Sequence, residues 1–267
     1  MADAVRAYSL IAGMWIRSAM AYRATFAMMT LVQFVTTALD FVAIWFMFGL
    51  TRQLGGFSLP EIALLYGASC VAIALADLFV GGIEQIGQRI RDGSLDTMLV
   101  RPVAPYVQAI ADRFAPRRIG RLAQATAVLV WGLVAVGVHW TAGRVAMVPV
   151  MIVCGAVIFG GIFTLGGAFQ FVATDAAEVS NAFTYGGNAM TEYPPTIYAK
   201  EIVRAAMFTI PLAFVNWLPA LYILGRPAPA GTPDVLRFAS PVAALALSAV
   251  AALAWKAGVR SYRSTGS

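Results

Sequence analysis

The chain has 267 residues, of which 60% are hydrophobic and only 12% charged, with a mean hydropathy of +0.76. Soluble domains carry roughly 45 to 50% apolar residues, so the composition excludes an ordinary soluble domain and predicts an all-α integral membrane protein. The formal net charge of +6 does not imply nucleic acid, because the basic residues are scattered between apolar stretches and form no continuous stripe.

Residues 1–25 carry Asp3, Arg6, Arg17 and Arg23 and lack the compact apolar core of a cleavable signal, so the first span is expected to act as its own insertion signal. Within them Val5, Tyr8, Ile11, Trp15, Ala19 and Tyr22 recur at three- and four-residue steps, with Arg6 and Arg17 roughly opposite. This pattern predicts a helix in the membrane interface with its aromatic residues at headgroup level, the alternative being a plain extension of the first span. Crossing the hydrocarbon core takes about 20 mostly apolar residues, and 27–49, 62–83, 121–140, 146–172 and 239–257 qualify. A sixth span is expected between 173 and 238. Hydropathy favours 207–225, although it contains Pro211 and Pro219, over the moderately apolar 178–194, which Gly186 and Gly187 interrupt.

Six spans put both termini on one side. Arg6, Arg17, Arg23, Arg89, Arg91, Arg101, Arg113, Arg117, Arg118, Arg121, Lys256, Arg260 and Arg263 then share that side, against Arg52, Arg144, Arg226 and Arg237 on the other. Cytoplasmic loops keep the excess of Lys and Arg, so both ends are expected in the cytoplasm.

The longest unambiguous loop, 84–116, contains QRIRDGSLDTMLVRPVAPY (88–106). Ile83, Ile86 and Ile90 continue a helical stripe out of span two until Gly93. Ser94 is placed to cap a short helix over Leu95 to Val100. Pro105 can open another helix through Phe114, ended by Pro116 and the pair Arg117 and Arg118. Short helices mixing apolar and charged residues make a docking element for a soluble partner; the alternative is a basic loop that only fixes topology.

IRDGSLDTMLVRPVAP (90–105), TIPLAFVNWLPALYILG (209–225) and WKAGVRSY (255–262) resemble the permease subunits of ABC type-2 exporters, in the viologen-exporter-like branch, and the likeness runs over essentially the whole chain. The resemblance implies one six-span permease domain over 1–267, with an interfacial helix at 1–25. It implies a cytoplasmic coupling helix within 84–116, carried by Ile90, Arg91, Gly93, Leu95, Asp96, Leu99, Arg101 and Pro102, that rests in a groove of a separate ATPase. It also implies two ATPase copies, which bind ATP and Mg, a second permease subunit forming a homodimer or heterodimer, and a location in the bacterial cytoplasmic membrane. By the same comparison TEYPP (191–195) is the outer end of span five and 196–225 is a re-entrant outer hairpin. Irregular backbone is tolerated at that depth where protein or a cavity satisfies it.

The remaining residues fit that reading. No G-x-x-x-x-G-K-[ST] loop occurs in the chain, so the chain itself is not expected to hydrolyse ATP. G-x-S-x-G is also absent, so no catalytic residue is expected. Cys70 and Cys154 fall inside apolar spans, which argues against a disulfide framework and a metal site. Asp40, in the middle of span one, is a candidate for lining the translocation path. Asp77, near the inner end of span two, reads better as a structural carboxylate. Gln33, Gln124 and Gln170 read as bonds between helices, and the glycine pairs at 81–82, 160–161, 166–167 and 186–187 as hinges or as close helix contacts. The lone His139, beside Trp140, reads as an interface residue. The alternative function is a carrier or channel driven by an ion gradient without any ATPase, although no internal repeat of the kind such carriers show is visible. The substrate is not readable; family analogy suggests hydrophobic or cationic compounds.

Overall fold

In the computed structural model, residues 2–173, 177–198, 210–228 and 232–263 are described, and among them all regular structure is helical. Among the described residues four helices are long and apolar enough to cross a membrane: α2 (Arg23–Leu50), α3 (Leu59–Val80), α8 (Ala142–Phe169) and α11 (Ser240–Ser261). Two further helices are shorter than the sequence suggests. α7 (Ile119–Ala135) has 17 residues, about 26 Å at 1.5 Å per residue. It stops before the apolar run to 140 ends because the chain turns at Gly137, whose φ is 65°. α9 (Ala177–Thr191) has 15 residues.

α3 is the central helix, buried on almost every side between α7 and α8, while α11 packs on α8 and α2 on α7. Apolar association in lipid gains little from the hydrophobic effect, so small residues that let backbones approach dominate such contacts. A Cβ at Gly67 would lie 2.6 Å from the Leu129 backbone, and one at Gly132 would lie 2.7 Å from Leu64 N. α3 and α7 therefore touch backbone to backbone. α2 is peripheral, with Leu31, Phe46 and Leu50 exposed.

α3 opens on a capping box: the Ser58 N–H donates to Glu61 at 2.8 Å. Arg226 closes the same corner with 2.8 and 2.9 Å bonds to the Glu61 carboxylate. At its other end α3 runs through a 3-10 turn (Gly81–Gln85) into α4 (Ile86–Arg91), as the Ile83, Ile86 and Ile90 stripe predicts. This second end, with Arg89, Arg113, Arg117, Arg118 and Arg260, is the basic end of the bundle.

The apolar stretch 207–225 is not one long helix in its described part. A 3-10 turn (Leu212–Phe214) leads into α10 (Trp217–Leu224), which Gly225 ends at φ 67°. Leu212–Leu224 spans 13 residues, about 20 Å and short of the roughly 30 Å core. Asn216 at its break donates to Leu65 O at 2.9 Å and Thr191 O at 2.7 Å, which docks the segment on the half of α3 away from the basic end. The expected hairpin 196–225 lies outside the described residues over 199–209. α9 instead starts near the basic end and reaches Ser69, halfway along α3, where Asn188 accepts a 3.0 Å bond. The chain then continues to Thr196, which donates to Gly55 O before α3 begins.

α1 (Ala2–Ala21) separates from α2 at Tyr22, whose φ and ψ of −116° and 66° break the helix, so α1 is no plain extension of the first span. Its stripe is turned differently from the expectation. Tyr8, Ile11, Trp15 and Ala19 are half-buried, and the Tyr8 hydroxyl donates to Phe79 O at 3.1 Å, whereas Leu10, Met14 and Met20 are exposed. The protein gives Tyr8 a polar partner and packs the Trp15 ring, whose indole N–H has no hydrogen-bond partner among the described residues.

Candidate functional site

The loop at the basic end folds as a compact unit. Besides α4 it contains α5 (Leu95–Leu99) and α6 (Pro105–Ala111). Arg89 donates twice to the buried carboxylate of Asp112, from Nε and Nη2 at 2.8 Å each. Such a forked pair fixes orientation as well as charge. The buried Gln108 amide donates to Met98 O and Val103 O, both at 2.8 Å, and so ties α6 to the turn after α5. Arg113 donates through Nη1 to Gln85 and Gln88 at 3.0 and 2.8 Å. Gly93, at φ 68°, makes the turn between α4 and α5.

Two local expectations change. Ser94 does not cap α5 with its side chain; its hydroxyl turns back to Arg89 O at 3.5 Å. α6 begins at Pro105 as expected but stops at Ala111 rather than Phe114. Asp112 leaves the helix to meet Arg89, and Arg113 follows with φ 50°.

The eight residues proposed for coupling divide three ways. Ile90 and Leu95 are buried and Gly93 is a turn, so these three hold the loop together. Asp96 faces Tyr262 beyond α11; burial, with that carboxylate beside it, holds the Tyr262 phenol above its ordinary value. Arg91, Leu99, Arg101 and Pro102 are exposed, and Val100, 84% exposed, joins them at the tip. The loop is anchored on the helices behind it. Tyr106 packs edge-on against Trp255, Trp255 against Phe171, and Phe171 against Tyr262, with ring centroids 5.4, 5.3 and 6.4 Å apart. Gln170 accepts from Gly87 N at 2.8 Å, which bears out its reading as a bond between helices.

Asp77 is structural, as expected: Arg118 Nε lies 3.0 Å from its carboxylate and Nη1 donates to its carbonyl at 2.8 Å. Gln124 differs, since its buried amide has no hydrogen-bond partner among the described residues. The glycine pairs are mostly close contacts: a Cβ at Gly167 would meet Ile83 at 2.8 Å and one at Gly161 would meet Leu247 at 3.1 Å.

Asp40 is not brought near the coupling residues. It is exposed on α2, and its electrostatic neighbours are Tyr66, Glu192 and Tyr193. Glu192 is held in turn by Asn188 at 2.6 Å and Cys70 at 3.5 Å, while Ser69 bonds Asn188 and Thr191. Sequence reading missed this polar seam because it dilutes the hydropathy of α9. Its signal is the spacing of Thr184, Asn188 and Thr191, which share one buried face at steps of four and three.

A family model described as ABC-2 family transporter protein matches residues 34–266. No curated protein and no solved structure shows a match to the chain.

Proposed function

The chain belongs to the ABC-2 transporter family and is a multi-pass membrane protein, and from that premise we propose that it is the permease subunit of an ATP-driven exporter. Two copies of a separate ATPase, holding ATP and Mg, would drive it through the loop 84–116, and a second permease, identical or different, would complete the path. The observation that carries this reading is the construction of the loop. An exposed tip of Leu99, Val100, Arg101 and Pro102 stands on a buried, ion-paired base. A loop that only set topology would need its arginines but not the forked Arg89 pair, the buried Gln108 or an exposed apolar tip. The base continues into a helical run from Leu59 to Arg91, so a push on the tip would reach the far end of the central helix through the 3-10 turn at Gly81–Gln85. Family membership weighs against the gradient-driven carrier.

The proposed topology has six spans: α2, α3, α7, α8, α9 continued by 192–198, and α11. Both termini and the basic end lie in the cytoplasm of a bacterial cell, and the segment around α10 is re-entrant from outside. This reading is supported by the path of the chain from α9 past Ser69 to Gly55. Asp40, beside Glu192, gives the proposed path a negative wall, which suits organic cations of the viologen type. The test is export from cells co-expressing the chain and its cognate ATPase. Leu99→Asp should abolish ATP-dependent export while leaving the permease in the membrane; undiminished export would reject the coupling role.

A further inference from the structure

A cavity of about 430 Å³ lies at the basic end between α1, the start of α2 and residues 113–117. One wall carries Arg113 and Arg117; the other is Trp15, Phe26 and Met29, and none of the lining residues is acidic. The nearest carboxylate in sequence, Asp112, is already taken by Arg89. Arg117 is exposed and has no hydrogen-bond or ion-pair partner among the described residues. Thr25, Phe26 and Met29 carry the apolar wall about 6 Å along α2. From the cytoplasmic placement of the basic end, on which the idea rests, we infer that this cavity binds one anionic phospholipid of the cytoplasmic leaflet.

The chemistry divides between the two walls. Arg113, tethered by Gln85 and Gln88, and the unpaired Arg117 meet the phosphate, since a basic pocket on the cytoplasmic side of a membrane recognises anionic headgroups. Phe26 and Met29 take the upper part of an acyl chain. Trp15 belongs to the same apolar wall, and amphipathic rings of its kind are favoured at the membrane interface. A soluble phosphate would satisfy the arginines and leave that apolar wall in water, so the occupant is a lipid and not a free anion. Bound there, the lipid ties α1 to the segment that closes the coupling loop.

The test is native mass spectrometry of the full-length permease, without ATPase, released from bilayers containing phosphatidylglycerol and phosphatidylcholine. The wild type should retain one phosphatidylglycerol in clear preference to phosphatidylcholine. Each basic residue near an anionic headgroup contributes roughly fivefold in affinity, so Arg117→Gln should cut the preference about fivefold. Met29→Trp, which fills the cavity without changing charge, should also reduce retention. Arg260→Gln, an exposed basic residue at the end of α11, should not. Equal loss in Arg260→Gln, no loss in Arg117→Gln, or displacement of the lipid by glycerol phosphate would each overturn the assignment. Because no ATPase is present, failure here leaves the coupling proposal untouched, and thiol labelling reports separately on sidedness.

Discussion

Replacing Asp112 with alanine removes both 2.8 Å bonds from Arg89 and strands a guanidinium that is 28% exposed. Breaking a fully buried pair costs about 3–5 kcal/mol, and a charge-assisted bond contributes about 1.5–3 kcal/mol. Arg89 can rehydrate through its exposed part, which places the cost near the low end, about 2 kcal/mol for opening the loop. That corresponds to roughly 30-fold in the opening equilibrium. Hydrogen exchange followed by mass spectrometry reads this directly, because amides exchange through local openings. Backbone amides of 88–111 should exchange about 30-fold faster in Asp112→Ala, with α8 and α11 unchanged. Arg89→Met combined with Asp112→Leu should recover part of the protection, since an apolar pair leaves no stranded charge. A change below about threefold in the single variant would refute the idea that this pair holds the loop.

Leu95→Asp and Leu99→Asp should part company. The first buries a carboxylate where Leu95 is 1% exposed and should lower the melting temperature sharply; the second should leave melting unchanged and remove only transport-linked ATP hydrolysis. Gly67→Val should cost about 1–3 kcal/mol by forcing α3 from α7, and a melting temperature equal to wild type would contradict the backbone contact. In a background lacking Cys70 and Cys154, Arg52→Cys should react with an impermeant thiol reagent from outside intact cells and Arg263→Cys should not; the reverse pattern would invert the topology. Asp40→Asn should lower export of organic cations without lowering assembly with the second permease, and unchanged export would remove Asp40 from the path.

Much of the architecture was legible in the sequence because burial in lipid leaves a coarse signal. The long apolar runs give α2, α3, α8 and α11, and Pro105 and Gly93 punctuate the loop where expected. What was not legible depends on contacts distant in sequence. Arg89 and Asp112 are 23 residues apart, and nothing local pairs them, so the early end of α6 could not be foreseen. Hydropathy ranked 207–225 above 178–194 because it counts polar residues without knowing where they point. Asn188 and Thr191 face α3 and both bond the Ser69 hydroxyl there, whereas Asn216 breaks the apolar stretch by bonding two carbonyls. The coupling signature likewise mixed residues that build the loop, such as Leu95, with residues that present it, such as Leu99.

The most direct test of the central claim is a photo-crosslinking residue placed at Val100, 84% exposed at the loop tip, with Val134, 80% exposed near the far end of α7, as control. In cells exporting substrate, irradiation should join Val100 to a polypeptide carrying a nucleotide-binding P-loop and leave Val134 without that adduct. Active export with no such adduct at Val100, or with equal adducts at both positions, would contradict coupling through the loop 84–116.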